Sequence, residues 1–150
     1  PVFQIQSLKR FSMSWNLWTG PIPSEIGLLT DLDLIDLNNV QRMTGTIPEE
    51  LFDSCTKLTS LEISSSNFQG TLSTGVGRLT DLMTLSLSLN NFDGQLPSEL
   101  GLLSNLINLE LLDNDFSGTI PSELGNLGEL QSLDLSNNAL TGSIPPELFL

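Results

Sequence analysis

The chain has 150 residues, with 18 acidic and 5 basic side chains, one cysteine and no histidine, so its net charge is -13. A charge of this sign argues against nucleic acid, whose phosphates need clustered Lys and Arg, and it disfavours anionic lipid surfaces. Without histidine the chain lacks the commonest general base and metal ligand, and a single cysteine cannot form an internal disulfide.

One pattern, L-x-x-L-x-L-x-x-N-x-L-x-G-x-I-P, recurs six times along the chain. The glycines that close each copy are spaced by 25, 25, 24, 24 and 24 residues, at Gly20, Gly45, Gly70, Gly94, Gly118 and Gly142. A fixed period of this length predicts a solenoid in which each unit contacts only its neighbours. We therefore expect a single array over residues 1–150, with six repeats of 24–25 residues. Both ends fall within a repeat, so we expect an uncapped part of a longer chain.

Each repeat begins with alternating apolar and polar residues, as in Leu85, Ser86 and Leu87. This period of two predicts a short strand with one buried face, and six such strands would stack into a parallel sheet. A core-filling residue lies two positions before each glycine, at Trp18, Met43, Phe68, Phe92, Phe116 and Leu140. The proline step and the Ser-Glu-Leu-Gly that follow predict a 3₁₀ turn on the outer side. Its glutamates would form an acidic column on that side: Glu25, Glu50, Glu99, Glu123 and Glu147.

An asparagine follows the last strand leucine by three residues in four repeats, at Asn16, Asn90, Asn114 and Asn138. Backbone groups at this inward turn lack strand partners, and an amide can both donate and accept, so we expect a structural asparagine ladder that joins neighbouring coils.

Two repeats depart from the pattern. The second has one extra residue between Leu37 and Gly45, and the third has Ser66 in the asparagine position and an extra residue before Leu58. A bulge is expected between about Asn38 and Thr46.

Together with the S-E-L-G that follows it, the repeated motif resembles the plant-specific class of leucine-rich repeats, over essentially the whole chain and best from Leu82 to Pro145. The resemblance implies a right-handed superhelix with a concave parallel β-sheet of one short strand per repeat. It also implies a second short sheet near Gly-x-Ile-Pro, and 3₁₀ turns and loops on the convex side. Cys55 falls at a core position that this class often fills with cysteine, which implies a buried and unreactive thiol.

Members of this class include ectodomains of receptor-like kinases, receptor-like proteins and secreted inhibitors of wall-degrading enzymes, all of which bind through the array. The resemblance therefore implies an extracellular or cell-surface location. None of the twelve asparagines begins an N-x-S/T glycosylation site, and the chain shows neither a disulfide nor a signal peptide, so an intracellular location is the alternative. No apolar run approaches the roughly 20 residues that a membrane span requires, so we expect no membrane insertion by this segment.

The outward positions at the centre of the predicted strands carry four carboxylates in six places: Ser12, Asp36, Glu62, Ser86, Glu110 and Asp134. Because neighbouring parallel strands lie about 4.8 Å apart, Asp36 would lie beside Glu62, and Glu110 beside Asp134. Apolar side chains that the repeat does not require share this concave face, and such a patch beside like charges suits a basic, partly apolar peptide or protein. The candidate binding residues are Asp36, Glu62, Glu110, Asp134, Trp15, Leu89, Leu112 and Asp113.

No catalytic constellation is visible, because the chain has no His or Tyr and its serines have no adjacent base. Two carboxylates on adjacent strands imitate a glycosidase pair, but aromatic residues to hold a sugar are missing. Calcium needs about 6 to 8 converging oxygens, whereas side chains on parallel strands diverge. We therefore expect a non-catalytic protein-binding or peptide-binding module without cofactor or metal. The alternatives are a passive, solvated face and a structural spacer that sets the distance between flanking segments.

Overall fold

The protein is described by a computed structural model that covers residues 5–150. Six coils follow one another along the chain, begun by strands β1 (Arg10–Ser12), β2 (Leu34–Asp36), β4 (Ser60–Glu62), β6 (Thr84–Ser86), β8 (Asn108–Glu110) and β10 (Ser132–Asp134). These strands form one parallel sheet in the order β1-β2-β4-β6-β8-β10. The predicted sheet is therefore confirmed.

The register of this sheet aligns equivalent residues of successive repeats. Ile35 lies beside Leu61, and Leu61 lies beside Leu85. All three side chains are buried, whereas the residues on either side of Ile35 are only partly buried. The period-two pattern thus places one face of the sheet against the core and leaves the other to solvent.

A second parallel sheet lies further along each coil. It consists of β3 (Thr44–Gly45), β5 (Asn67–Thr71), β7 (Asn91–Gln95), β9 (Asp115–Thr119) and β11 (Ala139–Thr141). The repeat glycines belong to this region, and Gly94 shows why the pattern needs them. Its φ of +74° lies in the left-handed region, and a Cβ there would stand 2.8 Å from Cγ2 of Thr71 in the preceding coil.

The core lies between the two sheets and the helical turns. Phe68, Phe92 and Phe116 are buried in it as predicted, and the rings of Phe92 and Phe116 stack with centroids 6.3 Å apart. The prediction for Trp18 is wrong, because this side chain is 52% exposed. Trp18 belongs to the first coil, and the described residues place a neighbouring coil on only one side of it.

Five helical turns on the outer side are 3₁₀, as predicted: Ser24–Leu28, Thr74–Arg78, Ser98–Leu102, Ser122–Asn126 and Pro146–Phe149. The turn before β4 differs, because it is the α-helix α1 (Glu49–Ser54). In α1 the Cys55 N–H donates to the carbonyl of Leu51, four residues earlier. In the next turn the Leu79 N–H donates to the carbonyl of Val76, three residues earlier. The extra residue before Leu58 is accommodated by this wider hydrogen-bonded ring.

The extra residue of the second repeat forms the expected bulge. The Met43 N–H donates to the Val40 carbonyl at 2.8 Å, which closes a tight turn, and β3 is only two residues long. Val40 occupies the asparagine position of the repeat and is fully buried. An apolar side chain therefore takes the position that an amide occupies in the last three coils.

Cys55 is fully buried, as the sequence predicts. Its Sγ lies 3.5 Å from the carbonyl oxygen of Ile26 in the preceding coil. Burial raises the pKa of the Cys55 thiol to about 11, so the reactive thiolate is disfavoured.

Candidate functional site

The four candidate carboxylates, which we call the acidic stripe (Asp36, Glu62, Glu110 and Asp134), lie on the solvent side of the six-stranded sheet. We call this surface, together with the residues that directly follow its strands, the sheet face. The register places Asp36 beside Glu62, and Glu110 beside Asp134. Ser86 lies between Glu62 and Glu110. The structure therefore brings the carboxylates into one row that a single serine interrupts.

Neutral donors surround Asp36. The Ser12 hydroxyl donates to its Oδ2 at 2.9 Å, and the Ser14 hydroxyl and the Asn38 N–H donate to its Oδ1. Burial alone would raise the pKa of Asp36, but the hydrogen bonds from Ser14, from the Asn38 N–H and from Ser12 outweigh burial and hold that pKa below its ordinary value. Asp36 therefore stays ionised.

Serines and an asparagine also hold the rest of the acidic stripe. Glu62 accepts hydrogen bonds from the Ser60 hydroxyl at 2.8 Å and from Nδ2 of Asn38 at 3.1 Å. Ser86 donates to Glu110 at 2.9 Å. Sequence reasoning missed these supporting donors, although their signal was present in the polar residues that flank each carboxylate.

The last carboxylate, Asp134, is held by its own turn. Both the hydroxyl and the backbone N–H of Ser136 donate to its Oδ1, the N–H at 3.0 Å. The side-chain hydrogen bond and then the backbone hydrogen bond lower the pKa of Asp134. This carboxylate, like Asp36, keeps its charge in mildly acidic solution.

The acidic stripe has no ion pair within residues 5–150. The ion pairs found there join Lys57 to Asp31, at 2.6 Å, and Arg78 to Asp53, and neither involves a residue of the acidic stripe. The same residues also contain no group of His, Cys, Asp or Glu placed to hold a metal ion. The carboxylates of the acidic stripe are therefore held by neutral hydrogen-bond donors rather than by salt bridges.

Two large apolar side chains lie on the sheet face in an unusual backbone conformation. Trp15 is 80% exposed and Leu89 is 48% exposed. Their φ values are +59° and +57°, in the left-handed region that most residues avoid. The equivalent residue of every coil shares this conformation, and we call these residues the left-handed column: Trp15, Asn39, Ser65, Leu89, Asp113 and Asn137.

This conformation was not expected from the sequence, although Asn and Asp, which tolerate it best, fill half of the left-handed column. The other two candidate residues are less exposed. Leu112 is partly buried, and Asp113 accepts a hydrogen bond from Nδ2 of Asn137 at 2.7 Å. Neither is as available to a partner as Trp15 or Leu89.

A shallow groove of about 520 Å³ on the sheet face joins these features. Trp15 lines one end and Asp134 the other, and Glu62, Glu110 and Leu112 lie between them. Leu89 lines an adjoining depression, which shares Asn39 with the groove. Most of the predicted binding residues therefore surround one continuous surface.

The asparagines of the repeat lie apart from this groove. Nδ2 of Asn138 donates to the Leu111 carbonyl of the preceding coil at 2.9 Å, and its Oδ1 accepts from the Phe116 N–H at 3.0 Å. Asn90 and Asn114 make equivalent bonds, whereas Asn16 donates only to carbonyls of its own coil in the part of the chain that the structure describes.

A serine takes over part of this role in the third coil. The Ser66 hydroxyl donates to the Leu37 carbonyl at 3.3 Å and accepts from the Val40 N–H at 3.2 Å. These side chains satisfy backbone groups inside the array.

No helix among residues 5–150 is long and apolar enough to cross a membrane.

Comparisons with known proteins agree with this architecture. The family model described as Leucine Rich Repeat matches residues 81–103, 105–127 and 129–149. No curated protein sequence matches the chain. Among solved structures, the Arabidopsis receptor kinase HAESA in complex with the peptide hormone IDA and the co-receptor SERK1 is 37% identical, with a TM-score of 0.89. That match covers 95% of this chain but only 23% of the HAESA chain.

Two further structures are similar over more of their own length. The ectodomain of the receptor kinase SOBIR1 from Arabidopsis thaliana is 32% identical over 89% of this chain and 73% of that one, with a TM-score of 0.83. A plant ice-binding protein is 33% identical over 94% of this chain and 44% of that one, also with a TM-score of 0.83. With its stacked parallel sheets and helical turns, the chain belongs to the plant-type leucine-rich repeat family.

Proposed function

We propose that this chain is a non-catalytic recognition module that binds a basic peptide or protein segment on its sheet face. The observation that carries the proposal is the acidic stripe, four carboxylates in one row without an ion pair within residues 5–150. Screening by salt at physiological strength acts over about 8 Å, so neighbouring carboxylates act together on an approaching cation. Such a field steers an oppositely charged partner and selects against acidic ones.

The relatives support a peptide or protein as the partner. HAESA is seen with a peptide hormone and a co-receptor, and SOBIR1 is the ectodomain of a receptor kinase. We propose by analogy that this chain lies in the extracellular, ligand-binding part of a receptor-like protein. The ice-binding relative shows that the same fold serves another kind of ligand, but an ice surface offers no positive charge to match the acidic stripe.

The chemistry of the groove favours binding over catalysis. Its serine hydroxyls and asparagine amides donate to carboxylates, and a carboxylate is a far weaker base than the imidazole that ordinarily activates a serine nucleophile. Cys55 is buried with a raised pKa and cannot serve as a nucleophile at the surface. Under the spacer hypothesis, by contrast, the acidic stripe contacts no ligand.

The proposal is tested by selection from a peptide library that contains basic, neutral and acidic members. Three proteins are compared: the wild-type chain, the stripe variant Glu62→Gln/Glu110→Gln/Asp134→Asn, and the outer-side variant Glu25→Gln/Glu50→Gln/Glu123→Gln. Both variants lose three negative charges, but only the first loses them from the sheet face. We expect the wild-type chain and the outer-side variant to enrich basic peptides, and the stripe variant to lose that enrichment. Equal enrichment by all three proteins would favour the spacer.

A further inference from the structure

We infer that the ligand of the sheet face is an extended segment in which a basic residue lies midway between two apolar residues four positions apart. This inference rests on the proposed function and specifies the ligand of the same surface. It follows from the spacing of Trp15 and Leu89 and from the position of Asp36 and Glu62, the first carboxylate pair of the acidic stripe.

Trp15 and Leu89 are the apolar contact points. Both are largely exposed, and both adopt the left-handed conformation, which disfavours bulky side chains. Asn39 and Asn137 fill the same position in other coils with a residue that suits this conformation. Neither core packing nor backbone preference therefore explains a tryptophan and a leucine here, whereas contact with a partner does.

The separation of Trp15 and Leu89 sets the spacing of the ligand's apolar residues. They occupy the left-handed column in the first and fourth coils, three coils apart. Coils follow at the spacing of parallel strands, about 4.8 Å, so the two positions lie about 14 Å apart. An extended chain rises about 3.3 Å per residue, so residues four apart span about 13 Å and point to the same side.

The residue midway between the two apolar ones would pass between the second and third coils. This is where Asp36 and Glu62 lie side by side. A side chain at that position points to the same side as the two apolar residues, because it is two positions from each. Lys or Arg has a long apolar stem with the charge at its tip, so it can reach the carboxylates from a backbone that runs along the left-handed column.

Charge complementarity decides the kind of occupant. The acidic stripe would repel an acidic segment, and a second copy of this chain would bring its own net charge of -13. Asn38 supports the pair of Asp36 and Glu62, because its backbone N–H donates to Asp36, its Nδ2 donates to Glu62, and its Oδ1 accepts from the Ser64 N–H at 2.7 Å. The pair is thus held in place before a ligand arrives.

The test uses capped nine-residue peptides of identical composition that differ only in spacing. One contains the core Leu-Ala-Arg-Ala-Leu, and two others place the same leucines two or six positions apart around the arginine. Fluorescence anisotropy measures their affinity for the wild-type chain, for Trp15→Asn and for Leu89→Asn. The matched controls Leu17→Asn and Leu102→Asn remove exposed apolar side chains that line neither the groove nor the adjoining depression.

We expect the four-residue spacing to bind the wild-type chain about tenfold more tightly than either other spacing, because only it buries both leucines. Trp15→Asn and Leu89→Asn should each abolish that preference, while the controls keep it. Both variants should fold, since asparagine occupies the left-handed column elsewhere; circular dichroism checks this. Binding of all three peptides with one affinity, lost in the stripe variant, would overturn this inference and leave the proposed function intact. Binding of none of them would overturn both.

Discussion

Oδ1 of Asn114 accepts a hydrogen bond from the Phe92 N–H, one coil earlier, at 3.0 Å. Nδ2 of the same side chain donates to the Leu87 carbonyl of that coil at 2.9 Å. One buried amide thus satisfies both a donor and an acceptor of its neighbour. Since each coil contacts only the coils beside it, such bonds help to hold the array in register.

Asn114→Ala should therefore be strongly destabilising. The change leaves the Phe92 N–H and the Leu87 carbonyl without their partner, and each buried polar group left unsatisfied costs about 1 to 3 kcal/mol. We expect the free energy of unfolding in urea to fall by about 2 to 4 kcal/mol. Asn91→Ala, at an exposed position in the preceding coil, is the control and should change it by less than about 0.5 kcal/mol. Equal losses in the two variants would show that Asn114 does not carry this role.

A glycine on the outer side gives a second test of coil packing. A Cβ on Gly101 would overlap the backbone carbonyl of Glu123 in the next coil, whereas a Cβ on Gly128 would meet no atom within 4 Å. Gly101→Ala should lower the free energy of unfolding by about 1 to 3 kcal/mol, because backbone cannot move aside as a flexible side chain can. Gly128→Ala should leave it unchanged or raise it slightly. Thermal unfolding of both variants decides the matter, and a tolerated Gly101→Ala would mean that the coils are less closely packed than described.

The repetitive parts of this fold could be read from the sequence because six copies report the same positions. The alternation of apolar and polar residues predicted the strands, and the extra residue between Leu37 and Gly45 predicted the bulge. The left-handed conformation at Trp15 and Leu89 could not be predicted, because these two residue types ordinarily avoid it. The α-helix α1 was also missed, since an added residue can widen a turn or form a loop, and only packing against neighbouring coils selects between them.

For the candidate site, the row of carboxylates follows directly from the register of the repeat. The hydrogen-bond donors that hold each carboxylate could not be predicted in this way, because a serine two residues along the strand or in the next coil can equally face solvent. Ser86, for example, is almost fully buried and donates to Glu110, although its position suggested ordinary surface decoration. Exposure at Trp18 was misjudged because a core position in the first coil is packed by a described neighbouring coil on only one side.

Cys55 should be inert towards thiol reagents in the folded protein. Burial raises its pKa to about 11, so at mildly alkaline pH the thiol is protonated as well as inaccessible. We expect a chromogenic disulfide reagent to label it only as fast as the array opens, and fully in concentrated guanidinium chloride. Rapid stoichiometric labelling under native conditions would contradict the buried position.

Asp36 should make stability depend on pH in the acidic range. Its pKa is lower in the folded state than the unfolded value of about 3.9, so the ionised form stabilises the fold. That contribution is fully present above the unfolded pKa and is lost as the pH falls through the folded pKa. Asp36→Asn should therefore be less stable than the wild-type chain near neutral pH, and the difference should shrink on acidification. Urea unfolding at several pH values measures this, with exposed Asp81→Asn as the control; a difference that does not change with pH would argue against the ionised role.

Recognition of a basic ligand by the acidic stripe can be measured through the salt dependence of affinity. The dissociation constant of one basic peptide is measured across a sodium chloride series for the wild-type chain, the stripe variant and the outer-side variant. We expect affinity to fall steeply with salt for the wild-type chain and the outer-side variant, and the stripe variant to bind weakly with little salt dependence. Wild-type affinity that does not change with salt, or a stripe variant with the wild-type slope, would contradict it.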